Sequence, residues 1–151
     1  MMQLAEDVFD ARNDPEQLDV NDEVIKRFQL IHPACVSEYN EGDGPIAWVL
    51  LLPTTIVLMN QFLEKRINEK ELFYQTPLNT PYETIYLCSA MVLDEYRRKG
   101  IAKRLTMDAI NRIRKDHMIA CLFYWPFTEE GDLAAKNLAE ACKLPLLERS
   151  S

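Results

Sequence analysis

No run of about 18 uninterrupted apolar residues occurs anywhere in the 151-residue chain, so no membrane-spanning helix is expected. The first twenty residues carry acidic groups where a secretory leader would place a basic stretch and then an apolar one, so no leader is expected either. Close cysteine pairs are missing as well. Cys35, Cys88, Cys121 and Cys142 lie far apart among apolar neighbours, a spacing that fits neither a zinc site nor a disulfide framework. Widely spaced thiols of this kind behave as small buried hydrophobes and suit a reducing compartment, so a cytoplasmic protein is expected. Positive charge is also short: 17 Lys and Arg stand against 24 Asp and Glu, a formal net charge of −7. Nucleic acid is therefore not the expected partner, because its binding depends on neutralising phosphates. The same field mildly favours a cationic ligand, although acidity also serves solubility. Internal repeats and low-complexity tracts are absent too.

What is present is a chain 48% apolar, enough for one substantial core, and residues 1–151 read as a single domain with an acidic lead-in over residues 1–20. The lead-in offers no clear strand. A helix is expected from Asn21, which can cap it, with Val24, Ile25, Phe28 and Ile31 as its apolar stripe and a stop near His32-Pro33. Residues 35–39 and 46–52 flank the turn-rich Asn40-Glu41-Gly42-Asp43-Gly44-Pro45 and predict a β-hairpin closed by Pro53, with its second strand buried. One helix over about residues 55–68 is expected next, with Thr54 or Thr55 as its cap. Its inner face is Val57, Leu58, Phe62 and Leu63, and Glu64, Lys65, Arg66, Glu69 and Lys70 turn to water. After a loop over residues 75–81 come an apolar strand at 85–92, a basic turn, an amphipathic helix to about Lys115, a strand at 118–124 and a helix over 129–143. Strand, helix, strand in that order makes a βαβ unit and hence a parallel pair.

The basic turn is the most informative segment. Arg97, Arg98, Lys99, Lys103 and Arg104 crowd a helix start, where the helix dipole disfavours cations. Cations gathered at that end fit an absent anion held by the unpartnered first N–H groups of the helix, with Gly100 permitting close approach. A solvated basic face is the plainer explanation of the same charges.

The wording of the segment resolves between them. Val92-Leu93-Asp94-Glu95-Tyr96-Arg97-Arg98-Lys99-Gly100-Ile101-Ala102 resembles the signature of the GNAT superfamily of N-acetyltransferases: Arg or Gln, two residues, Gly, one residue, then Gly or Ala. Arg97, Gly100 and Ala102 meet it, between an apolar strand and an amphipathic helix as that family requires. The resemblance implies a three-layer α/β/α sandwich with a central mixed sheet, shortened at the C-terminus. It implies acetyl-coenzyme A as co-substrate, held through Arg97, Arg98, Lys99, Gly100, Ile101, Ala102 and Lys103 at its pyrophosphate. Met91, Val92 and Leu93 would pair with the pantetheine arm like an added strand. The implied reaction is direct attack of an amine on the thioester, with no metal and no covalent enzyme intermediate.

For proton transfer the residues point less sharply. The tyrosine usual in the family's last helix is replaced by Ala139 in Leu138-Ala139-Glu140-Ala141-Cys142-Lys143-Leu144. Tyr124 could substitute as the acid, though an aromatic run such as Phe123-Tyr124-Trp125 also suits a core. Glu83 and Tyr86 are the candidate bases, Glu83 equally suiting a solvated carboxylate, while His32 and His117 sit at element ends where capping is expected. The family's last hairpin is not expected after Pro145, so a homodimer completing the cleft, or a large acceptor reached from an open side, is a further expectation. An N-acetyltransferase with an unidentified amine acceptor is the first reading. The alternative is a module that binds acyl-coenzyme A as a sensor or interaction protein without turnover.

Overall fold

The protein is described from a computed structural model, which places residues 5–7, 21–40, 45–93, 100–126 and 129–149. Its sheet has six strands: β1 (Ala5–Asp7), β2 (Val36–Asn40), β3 (Pro45–Thr54), β4 (Thr84–Leu93), β5 (Cys121–Tyr124) and β6 (Leu146–Glu148). Five α-helices accompany it among the described residues: α1 (Asp22–Ile31), α2 (Ile56–Leu63), α3 (Glu69–Gln75), α4 (Ile101–Asp116) and α5 (Glu129–Cys142). The strands run β2-β3-β4-β5-β6, antiparallel from β2 to β4 and parallel from β4 to β6, so the sheet is mixed as expected.

Helices cover both faces. Phe62 of α2 packs its ring on Tyr86 of β4 and Phe123 of β5, with centroids 5.1 and 5.9 Å away. Tyr124 follows Phe123, so it points to the opposite face, where its hydroxyl meets Asp132 of α5. On that second face α4 is tied to α5 by Arg114, which donates to the carbonyl of Cys142 at 3.2 Å. On the first, Phe28 of α1 lies 4.7 Å from Phe73 of α3. The result is the three-layer α/β/α arrangement, with Leu51, Leu52, Ile85, Leu87, Leu122 and Phe123 buried in its central layer. No helix among the described residues is long and apolar enough to cross a membrane.

Local chemistry accounts for the boundaries. Asn21 caps α1 by accepting from the Val24 N–H at 3.0 Å, and Thr55 caps α2 by accepting from Leu58 at 3.3 Å. Several details depart from the sequence reading. Pro53 does not end its strand; β3 continues to Thr54, and Pro53 lies beyond the last β2 pair, Val36↔Leu50, where a missing N–H is tolerated. The helix expected over 55–68 stops at Leu63, with Lys65 at φ 65° just beyond it, and a further helix starts at Glu69, where Asn68 and Glu71 form a capping box. Within them Val57 is 66% exposed while Met59 is buried, and Glu69 is 2% exposed where solvent contact was expected. Residues 118–120 precede β5 instead of opening it, and Met118 is 93% exposed. The lead-in does contain a strand, β1, which pairs antiparallel with β4.

Candidate active site

Gly100 stands where β4 has ended and α4 begins, at φ 72° and ψ 12°, the left-handed region that glycine enters without penalty. Among the described residues, a Cβ placed there would meet no atom within 4 Å. No side chain among the described residues caps α4 at this position. The helical ladder starts with Arg104 N–H donating to Gly100 C=O at 3.0 Å, which leaves the N–H groups of Ile101, Ala102 and Lys103 without partners inside the helix. Lys103 and Arg104 are exposed beside them. Such a helix head attracts an anion through its N–H groups, its dipole and its flanking cations together. Arg97, Arg98 and Lys99 lie outside the described residues. The head is anchored by Ile101, which packs on Ile46 and Ala47 at the start of β3. Ala47 pairs with Val92, so the anion-attracting end sits beside the C-terminal end of β4.

The free edge of β4 has an unusual division. β3 runs along one edge from Thr84 to Val92. The other edge is shared: β5 pairs with Thr84, Ile85 and Tyr86, and β1 pairs with Met91, Val92 and Leu93. Neither β5 nor β1 extends over the stretch between them, residues 87–90. At the same level the β3 register jumps, with Leu50 opposite Ser89 and Leu51 opposite Leu87. Cys88 is therefore the extra residue of a β-bulge, a device that redirects backbone groups out of the regular ladder. The helix head and this divided edge follow one another along β4 as one track, the trough, with β1 lying along Met91, Val92 and Leu93 between them.

The three side chains expected to move protons are placed in three different settings. Tyr86 is the last β4 residue that β5 pairs, at the apex of the parting. Its hydroxyl, in the α2 and α3 layer, donates to Glu69 Oε2 at 2.6 Å, and both residues are at most 2% exposed. Glu69 is the first residue of α3, where the helix dipole favours a negative charge. Glu83 instead accepts the Ile56 N–H at 3.2 Å and so caps α2 from outside. With Tyr82, Asp116 and His117 it lines a shallow depression at the opposite end of β4 from the trough. Tyr124 is buried, and its hydroxyl lies between Asp132 and, at 2.9 Å, Glu148. Burial first, then those two hydrogen bonds and charges, push its pKa up, so it holds its proton firmly and ties β5 to α5 and β6. Ala139 is 4% exposed in the core and supplies no hydroxyl.

The histidines cap and brace. His32 Nδ1 accepts the Ala34 N–H at 3.0 Å, which leaves the proton on Nε2, 2.6 Å from Asp116 Oδ2. His117 Nδ1 accepts the Tyr82 N–H at 3.3 Å, and its pKa is lowered by burial and then by His32. All four cysteines are buried and unbridged. Among the described residues no cluster of His, Cys, Asp and Glu could hold a metal ion.

Two features of the site escaped sequence reading. Glu69 was hidden in a run of charged residues that looked solvated; the Asn68-x-x-Glu71 box was the available sign that a new helix starts there and turns its first residue inward. β1 left no sign, because three residues carry no periodicity.

The match of an apolar strand, an αL glycine and an unpartnered helix head to the Arg97, Gly100, Ala102 pattern agrees with comparison at the level of families. No curated protein and no solved structure matches the chain. The model of the Acetyltransferase (GNAT) family matches residues 3–143, nearly the whole chain, and the protein belongs to that family, whose members are acetyltransferases using acetyl-coenzyme A.

Proposed function

We propose that the protein is an N-acetyltransferase that moves the acetyl group of acetyl-coenzyme A to a primary amine by direct attack. The observation that supports this reading is the start of α4 at the left-handed Gly100, with first N–H groups that have no partner inside the helix, beside the end of a β4 strand whose outer edge β5 leaves after Tyr86. The pyrophosphate is held by the N–H groups of Ile101, Ala102 and Lys103 and by the basic run Arg97, Arg98 and Lys99. The pantetheine amides pair along Met91, Val92 and Leu93, and the thioester lies over Leu87 to Ala90. There a main-chain N–H near the Cys88 bulge donates to the carbonyl oxygen as it gains charge.

In the reaction the amine nitrogen forms a bond to the carbonyl carbon, the carbon–sulfur bond breaks, and coenzyme A leaves as a thiolate that takes a proton from solvent. The amine gives up its proton to the Tyr86 oxygen while the Tyr86 proton passes to Glu69, so the pair acts as a relay. Tyr86 suits this role because it stands at the apex of the parting with a carboxylate already bonded behind it. Glu83 faces the far end of the strand, and Tyr124 holds its proton between two carboxylates.

The test is calorimetric titration with acetyl-coenzyme A, followed by measurement of thiol release with polyamines, amino acids and peptide N-termini. Binding together with amine-dependent thiol release supports the proposal. Binding without release from any amine favours a sensor, and no binding refutes it.

A further inference from the structure

Two ligands claim the same edge of β4. Met91, Val92 and Leu93 already have a strand neighbour on that edge, since Asp7, Glu6 and Ala5 pair with them in antiparallel register. The opposite edge is taken by β3, which pairs Trp48 with Met91 and Ala47 with Val92. Each backbone N–H and C=O on the outer edge can serve one extended partner at a time. Resting on the function proposed above, the coenzyme arm needs the groups that β1 uses.

We propose that β1 is a self-bound strand that closes the pantetheine track of β4, so that acyl-coenzyme A binds only as Ala5–Asp7 leaves. Its length supports a displaceable contact: three residues make a short strand beside a mean of five or six, and short segments sit at the low end of local stability. Its position supports competition over simple edge cover, because it occupies the three residues nearest the helix head and stops before Leu87 to Ala90. The contact lies within one chain, so its occupancy is independent of protein concentration. It lowers apparent affinity by the fraction of molecules in which the edge is free. Release of β1 then raises the apparent affinity for acyl-coenzyme A without any change at the reacting groups.

The experiment compares the full chain with a variant carrying Glu6→Pro and Asp7→Pro, in which two successive residues lose the N–H needed for pairing, whichever of them faces β4. Calorimetric titration uses acetyl-coenzyme A and, separately, its nucleotide half, 3′-phosphoadenosine diphosphate, which has no pantetheine arm. The variant should bind acetyl-coenzyme A about tenfold more tightly, the factor for a strand docked in roughly nine molecules of ten, and the nucleotide half equally. In the full chain, hydrogen exchange at residues 5–7 should rise when acetyl-coenzyme A is added, against the usual protective effect of a ligand. Equal acetyl-coenzyme A affinity in both proteins, or weaker binding in the variant, overturns this inference and leaves the proposed function standing. Absence of binding to either protein overturns both.

Discussion

Gly100 offers the sharpest perturbation, because stability and ligand binding respond to it through separate physics. At φ 72° any L side chain costs about 1–2 kcal/mol, a β-branched one toward the upper end. Among the described residues no atom lies within 4 Å of the added Cβ, so they add no steric repulsion to this backbone penalty. For a domain of this size that penalty corresponds to a fall in Tm of about 2–8 °C for both Gly100→Ala and Gly100→Val. Binding should separate the two. The methyl groups of valine reach into the space before Ile101, Ala102 and Lys103, where each charge-assisted hydrogen bond to phosphate contributes about 1.5–3 kcal/mol. Loss of one or two such bonds weakens acetyl-coenzyme A by about tenfold to ten-thousandfold in Gly100→Val, with a smaller loss in Gly100→Ala. Thermal unfolding and calorimetric titration on the same samples measure both quantities. If Gly100→Val loses the expected stability yet binds acetyl-coenzyme A as the unaltered protein does, the helix head is not the phosphate site.

Further expectations follow from other contacts. Glu69→Gln keeps the shape and can still accept from Tyr86, so its fold should survive while turnover falls about a hundredfold; unchanged turnover would make the pair purely structural. Tyr124→Phe removes the hydroxyl between Asp132 and Glu148 and should cost about 1–2 kcal/mol in chemical denaturation with turnover retained, whereas lost turnover with intact binding would make Tyr124 the acid. Thr55→Ala should cost about 1 kcal/mol, read by denaturation, through loss of the α2 cap. The lowered pKa of His117 means that the unfolded chain takes up a proton near pH 6.5, where the folded chain does not. Stability on this account is complete above about pH 6.5 and declines as pH falls toward the folded value, and His117→Asn should flatten that slope in denaturation curves.

Much of the architecture was legible because it is written in local patterns. The stripe of Val24, Phe28 and Ile31 with Asn21 before it defines α1 wherever the helix lies. The apolar runs at β3, β4 and β5 are short and bounded by turn residues, as buried strands are, and the amphipathic span from Ile101 carries the helical period. The pattern of Arg97, Gly100 and Ala102 located the helix head because main chain, not side chains, makes that site. Its left-handed glycine is then the one residue type that the backbone demands.

The remainder depended on packing between distant segments, which a linear pattern does not record. That Glu69 is enclosed follows from α3 docking against Tyr86, 17 residues away, where a hydrogen bond offsets the desolvation of a charge that would otherwise favour water. That Tyr124 is pinned follows from Asp132 and Glu148 meeting on one face of β5. Exposure of Val57 and burial of Met59 reflect which side of α2 faces the sheet, a rotation fixed by the Thr55 cap and the Phe62 ring. The shared outer edge of β4 depends on strand register alone, since β5 reaches only Tyr86 and β1 only Met91. The sequence by itself determined the elements and the glycine-led helix start proposed to hold phosphate, whose causes lie within a few residues of each other. Tertiary structure alone decided which carboxylate stands behind Tyr86 and what lies along the trough, because both are contacts between residues far apart in the chain.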